Sequence, residues 1–243
     1  QEFMDRVDNM TLQEIGCEVI AQFLHEFPRD VIARIVQKSL TFPIPLIKLD
    51  ERLFLLELFH GPTLAFKDVG ARCMAEILSY VLSRQQKDVT VLVATSGDTG
   101  SAVAHGFYGA PHVTVFVLYP SGRVSRLQEQ QMATLGGNIH AVEIEGTFDD
   151  CLRLFKKALV DPEILSTRLL TTANSINLAR LLPQIVYYVW AYAQWKQIEP
   201  VSKTQPNFVV PSGNFGNLTA AVYAKRMGVP IRKFIAATNA NTA

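Results

Sequence analysis

Apolar residues along the chain fall into two periods. Up to residue 40 they recur at helical spacing, first Leu12, Ile15, Val19, Ile20, Phe23 and Leu24, then, after Pro28, Val31, Ile32, Ile35 and Val36. Phe42-Pro43-Ile44-Pro45 predicts an extended linker, because each proline pushes its predecessor out of the α region. Leu53 to Phe59, apolar except for Glu57, is a run short enough for a buried strand. Phe66, Val69, Cys73, Met74, Ile77, Leu78, Val81 and Leu82 then return to the helical period. From residue 89 the pattern alternates. Strands are predicted over 89–94, 113–119, 139–144, 208–210 and 231–237, with another starting at 169–171. Helices are predicted between them over 99–108, 124–135, 148–160 and 218–227, with a long one over 176–195 bent at Pro183. Strands separated by helices of this length predict βαβ units and an α/β fold whose parallel sheet is covered on both faces.

Composition supports a globular chain and narrows its partners. With 243 residues and 49% hydrophobic content the chain can bury a sizeable core. It carries 23 basic against 22 acidic residues with no basic block, so neither nucleic acid nor an anionic membrane is indicated as a partner. No apolar run reaches membrane-spanning length. Glu2, Asp5, Arg6, Asp8, Glu14 and Glu18 interrupt any signal-peptide core near the start. Cys17, Cys73 and Cys151 are odd in number and far apart, which suggests neither a disulfide framework nor a metal site and fits a reducing, cytoplasmic setting. The chain starts at Gln1 rather than methionine and stops at Asn239-Ala240-Asn241-Thr242-Ala243 just after an apolar run, so a chain cut at both ends is expected. Three parts are expected: 1–84, an N-terminal helical region with a strand and a lysine-bearing helix; 85–172, a small α/β domain; and 173–243, the start of a larger domain.

In open α/β sheets ligands sit beyond the carboxyl ends of the strands, so the strand-to-helix turns carry the candidate chemistry. The most informative residue is Lys67, in His60-Gly61-Pro62-Thr63-Leu64-Ala65-Phe66-Lys67-Asp68, with Thr63 as the expected N-cap and Asp68 in the first turn. A helix N-terminus disfavours a cation, but only by about 0.3–1 kcal/mol, whereas lowering a lysine by ~3 pKa units takes about 4 kcal/mol. Burial or a covalent partner would have to supply the rest; a solvated lysine at the start of an amphipathic helix is the alternative. Thr95-Ser96-Gly97-Asp98-Thr99-Gly100 offers hydroxyls, glycines and helix-start amides suited to a carboxylate or phosphate, or is an ordinary capped turn. Gly213-Asn214-Phe215-Gly216-Asn217 allows a nest of amides around a phosphate and is neither a P-loop nor a dinucleotide fingerprint. Asn174-Ser175-Ile176-Asn177-Leu178-Ala179-Arg180 puts an amide, a hydroxyl and a guanidinium at a helix start. Asn177 and Arg180 are expected on one face, with Asn174 and Ser175 as caps; an exposed arginine behind an ordinary cap is the alternative.

These four segments, in this order, resemble threonine synthase, and the likeness spans roughly residue 42 to the end. The resemblance implies the type II pyridoxal-phosphate fold, tryptophan synthase β-like, with parallel-rich open sheets flanked by helices and an apparently truncated C-terminus. It implies that Lys67 holds pyridoxal 5'-phosphate as an imine and that Gly213, Asn214, Phe215, Gly216 and Asn217 cradle its phosphate. Asp98 would face the ring's 3-oxygen, where many relatives carry an asparagine. Ser96 and Thr99 would hold the substrate carboxylate, and Asn174, Ser175 and Arg180 the phosphate of O-phosphohomoserine. The Ser or Thr expected to face the pyridine nitrogen would lie beyond this chain. The activity implied is conversion of O-phosphohomoserine and water to threonine and phosphate in amino-acid biosynthesis, with a homodimer left open. Alternatives are a threonine synthase-like phospho-lyase that releases phosphate without threonine, a serine or threonine dehydratase, and a non-catalytic protein on a truncated fold.

Overall fold

The computed structural model describes residues 2–201 and 204–240, so residues 241–243, part of the end expected to be a cut, lie outside the described residues. The chain forms two compact units, Gln1–His60 with Leu181–Ala243, and Gly61–Arg180. The first opens with helices α1 (Glu2–Arg6), α2 (Leu12–Ala21) and α3 (Arg29–Ser39) and an antiparallel hairpin of β1 (Leu46–Lys48) and β2 (Phe54–Leu56). The second contains α4 (Lys67–Gln85), β3 (Val89–Ala94), α5 (Asp98–Phe107), β4 (Val113–Pro120), α6 (Arg126–Ala133), β5 (Ile139–Ile144), α7 (Phe148–Ala158), α8 (Pro162–Thr167) and β6 (Leu170–Thr172). It ends inside α9 (Leu178–Leu181). The chain then returns to the first unit with α10 (Ile185–Ile198), β7 (Asn207–Pro211), α11 (Gly216–Arg226) and β8 (Lys233–Ala237). This division differs from the three parts expected at 1–84, 85–172 and 173–243, because α4 packs on α5 and shares a core with β3 and β4.

The second unit is built on a four-stranded, all-parallel sheet in the order β5-β4-β3-β6. All six residues of β3 are buried, as a central parallel strand requires. On one face Val91, Val93, Val115 and Val117 pack against Met74 of α4, Val103 and Phe107 of α5 and Met132 of α6. On the other, Leu92, Ala94 and Leu118 pack against Cys151 and Phe155 of α7. The chain runs outward from β3 through β4 to β5 and then returns to the far side of β3 as β6. The order therefore reverses between β3 and β6, and the crevice beyond their carboxyl ends is the switch point where such sheets take ligands.

In the first unit α10 organises the neighbouring irregular chain. Trp190 Nε1 and Gln194 Nε2 donate to the carbonyl of Ile44 at 2.7 and 3.0 Å, and Leu46 N donates to Gln194 Oε1 at 2.9 Å. The proline-flanked linker, short of donors of its own, is fixed in this way. β7 and β8 form a parallel pair.

Three expectations are corrected. Leu53 to Phe59 is not a buried strand: only Phe54–Leu56 is extended, Leu53 is 58% exposed, and Leu55 and Phe59 are also exposed. An apolar run does not itself specify what covers it. The long helix over 176–195 is broken rather than bent, with α9, a 3-10 turn at Leu182–Gln184 and then α10, because Pro183 lacks the amide that a continuous helix needs. Helix α8 is missing from the pattern-based expectation, although Asp161 accepts from the amides of Glu163 and Ile164 and Pro162 opens the first turn.

Phe107 is wholly buried against the valine face of the sheet. Phe107→Ala is expected to cost about 3–5 kcal/mol of stability. Urea unfolding followed by circular dichroism checks this, and an unchanged midpoint would place the core of this unit elsewhere.

Candidate functional site

The turn after β3 is wound around one buried hydroxyl. Thr95 Oγ1 accepts from the amides of Gly97 and Gly100, both at 2.9 Å. Gly97 has φ +142°, and a Cβ there would lie 2.1 Å from Gln128 Oε1. Gly100 is equally constrained, since a Cβ on it would lie 2.4 Å from Met132 Sδ and 2.5 Å from Thr95 Cγ2. Ser101 Oγ donates to the carbonyls of Gly97 and Gln128 at 3.2 Å each, so the start of α6 is fastened to this turn. Gly97 is therefore required by its backbone angle, while Gly100 is required by close approach of buried side chains.

That turn delivers Asp98 and Thr99 to Lys67, the first residue of α4. Lys67 Nζ lies 2.7 Å from Asp98 Oδ2 and donates to Thr99 Oγ1 at 2.9 Å. The other carboxylate oxygen, Asp98 Oδ1, accepts from the amide of Thr99 at 2.8 Å. The Lys67 side chain is only 13% exposed, and its ammonium sits 5.5 Å from the centroid of the Phe66 ring. Burial pushes the Lys67 amine below the ordinary lysine range; Asp98 opposes this by charge and hydrogen bonding, and Arg180 adds to the lowering. Asp98 remains 38% exposed, so water screens the pair, and the carboxylate offsets the burial effect without reversing it. The solvated-lysine alternative does not hold.

The turn in front of Lys67 is held differently from the expectation. Phe66 precedes the first helical residue without a side-chain cap bond, and Thr63 does not cap the helix. Instead the buried carboxylate of Asp68 accepts from Thr63 N at 3.0 Å and from Thr63 Oγ1 at 2.5 Å. The intervening residues turn through Leu64 at φ +60°, which carries Thr63 out of the helical path.

Beyond β6, Asn174 reaches across the switch point: its Nδ2 donates to the carbonyl of Ala94 at 3.2 Å and its Oδ1 accepts from Thr172 Oγ1 at 3.2 Å. The capping of α9 is by Asn177, not by Asn174 and Ser175, since Asn177 Oδ1 accepts from Ala179 N at 2.9 Å. Asn177 also donates to the carbonyl of Thr172 at 2.7 Å. Arg180 is neither exposed nor on a helix face shared with Asn177: it is 2% exposed, and its guanidinium donates to the carbonyl of Ala173. Burial lowers Arg180 to about 10, against the opposing charge of Asp98, so it stays a cation at neutral pH. Ser96 is exposed and Ser175 half-buried.

One unit thus brings Lys67, Asp98, Thr99, Asn174 and Arg180 to the carboxyl edge of one sheet, with Ser96 in the Thr95 turn. The segment carrying Gly213, Asn214, Phe215, Gly216 and Asn217 belongs to the other unit, running from the turn after β7 into the first residues of α11. There Asn217 Oδ1 accepts from Leu218 N at 2.9 Å and from Ser212 Oγ at 3.2 Å, while its Nδ2 donates to the carbonyl of Pro211 at 2.8 Å. Tyr188 OH donates to the carbonyl of Asn217 at 2.8 Å. Gly213, Asn214 and Phe215 are exposed, and a Cβ at Gly213 would meet nothing within 4 Å. Sequence patterns pass over Gln128 and Tyr188. Each acts through a partner that local spacing does not reveal.

Residues 39–243 match the family described as pyridoxal-phosphate dependent enzyme. The chain is 49% identical over 241 residues to threonine synthase of Serratia marcescens, covering 99% of this chain and 53% of that protein. The crystal structure of threonine synthase from Escherichia coli superposes with a TM-score of 0.90 at 46% identity, covering 98% of this chain and 55% of that one. A pyridoxal-phosphate-bound threonine synthase from Brucella melitensis gives a TM-score of 0.89 at 40% identity, covering 98% and 52%. The chain spans about half the length of the curated relatives it matches.

The geometry predicts a signed response to removing the aspartate. Asp98→Asn takes away the group that raises Lys67, so the amine should lose its proton at lower pH. The pH profile of Lys67 acylation by acetic anhydride, read by mass spectrometry, is expected to move to lower pH; a shift to higher pH would mean that Asp98 does not face the amine.

Proposed function

We propose that this chain, which belongs to the pyridoxal-phosphate dependent enzyme family and has its type II fold, takes part in converting O-phosphohomoserine and water to threonine and phosphate. The observation that carries the reading is the Lys67 amine, buried and lowered in proton affinity at the switch point of a parallel sheet. The residues present fit the cofactor. An amine held below the ordinary lysine range by burial suits an aldehyde, the open space at Gly213 leaves room for a phosphate, and Asn217 holds that turn in shape. Bound there, pyridoxal phosphate supplies an aldehyde that condenses with amines and a ring that accepts the electron pair released at carbon.

Lys67 would hold the cofactor and, when its amine is free, would move protons at Cα and Cβ of the substrate. Asp98 and Thr99, which already bind its nitrogen, would keep the freed amine in place between those transfers. Asp98 would also stand toward the ring's 3-oxygen. Ser96 and Thr99 would take the substrate carboxylate. Asn174 and Ser175 would take the substrate phosphate, with Arg180 as the buried positive charge behind them. Phosphate would leave from Cγ with the bonding pair of its C–O bond, protons would return to Cγ and Cα, and the hydroxyl of water would add at Cβ. Gly213 to Asn217 would hold the cofactor phosphate.

The partner proposed is therefore a small molecule. No helix among the described residues is long and apolar enough to cross a membrane. A cytoplasmic homodimer is the setting proposed, the compartment from three cysteines, Cys17, Cys73 and Cys151, that form no disulfide.

The test is direct. With pyridoxal phosphate and then borohydride, Lys67 should be the labelled residue, and phosphohomoserine should give threonine and phosphate in equal amounts. Label on another lysine would overturn the site, and phosphate without threonine would select the phospho-lyase. Gly213→Val adds a second prediction. Because a Cβ at this position meets no protein atom within 4 Å, the variant should fold normally yet bind pyridoxal phosphate about tenfold more weakly, a loss of roughly 1.4 kcal/mol. Binding of phosphate-free pyridoxal should change far less; equal losses would remove the turn from the phosphate site.

A further inference from the structure

Lys67 has a neighbour whose contribution is the lack of a side chain. Gly70 lies one helical turn after Lys67 in α4. A Cβ built on Gly70 would stand 2.5 Å from the carbonyl oxygen of Arg180 and 3.4 Å from Arg180 Cγ. The first distance is far inside van der Waals contact and involves backbone, which cannot swing aside as a flexible side chain can. The Arg180 segment is also held from its own side. Arg180 N donates to the carbonyl of Asn177 at 3.1 Å, Asn177 donates to the carbonyl of Thr172, and the guanidinium donates to the carbonyl of Ala173. The segment is thus pressed between the end of β6 and a bare position on α4.

We propose that Gly70 is a positioning residue: by carrying no side chain it lets the Arg180 segment close on α4, which places the buried guanidinium beside the Lys67–Asp98 pair. The inference rests on the reading above only in taking Lys67 as the reactive amine. The charged groups facing Lys67 are Asp98 from α5 and Arg180 from α9, while Asp68 on its own helix is bound by Thr63. Asp98 and Arg180 act on the amine in opposite directions, the carboxylate raising and the guanidinium lowering its proton affinity. Moving Arg180 away leaves Asp98 unopposed, so the amine should keep its proton to higher pH.

The test is acylation of Lys67 by acetic anhydride across pH, read by mass spectrometry, which needs no cofactor and so separates failure of this inference from failure of the proposed activity. Gly70→Ala should slow Lys67 acylation about threefold at neutral pH, equivalent to an upward move of about half a pH unit. Gly106→Ala is the comparison. Its Cβ would lie 3.0 Å from Ala71 C and Arg72 N, so it also crowds α4, but away from Arg180. It should lower the melting temperature without moving the Lys67 profile. Arg180→Met, which removes the charge and leaves Gly70 intact, should move the profile upward as Gly70→Ala does. An unmoved profile in Arg180→Met overturns the proposal, even if Gly70→Ala fails to fold. An equal shift in Gly106→Ala also overturns it, since that would reduce Gly70 to a general packing position.

Discussion

The structure around the candidate site depends on keeping one lysine amine out of water without abandoning it. Burial alone would leave the ammonium of Lys67 unsolvated, at a cost of several kcal/mol for an isolated ion. Asp98 and Thr99 replace the lost water, and Arg180 beyond them limits how strongly the proton is held. The result is an amine that is poised rather than fixed. Its proton affinity is lowered chiefly by burial and adjusted by opposing charges from two elements, so small displacements of either would retune it.

That constraint accounts for much of the local architecture. Asp98 reaches Lys67 because the turn after β3 is tight, and the turn is tight because Thr95 gathers two amides while Gln128 and Met132 press on bare glycines. Asn174 ties the ends of β6 and β3 together across the switch point. Asp68, beside the lysine, commits its carboxylate to Thr63 and so steadies the chain entering α4. These contacts are polar and wholly or partly buried, where an unmatched group would cost up to about 1–3 kcal/mol, so each loss should be felt at the amine as well as in stability.

The parallel sheet is legible in the sequence because its strands are short, strongly apolar and separated by helical periods. The predicted limits of β3 and β5 coincide with those observed. Pattern fails where burial depends on distant chain. Leu53 to Phe59 is nearly as apolar as β3 but is interrupted by Glu57 and carries exposed residues, so that one charge is the local feature separating the two. The segments of the site are legible as motifs, yet their roles come from a family resemblance rather than from spacing. Lys67 and Asp98 are far apart in sequence and meet only because α4 packs against α5. The burial of Arg180 is invisible for the same reason: helical spacing puts it on a face with Asn177, whereas Asn177 caps the helix and Arg180 turns inward. Gly70 carries no local signal, since its need for a bare position arises from the carbonyl of Arg180, far along the chain.

The most direct measurement is the titration of Lys67 itself, by nitrogen-15 NMR of the intact protein with labelled lysine and with the resonance assigned through Lys67→Arg. The account predicts that this amine releases its proton below the ordinary lysine value of about 10.4, and that it does so before any cofactor is added. A titration at or above that value would contradict it, because burial would then not govern the amine on which the proposed chemistry depends.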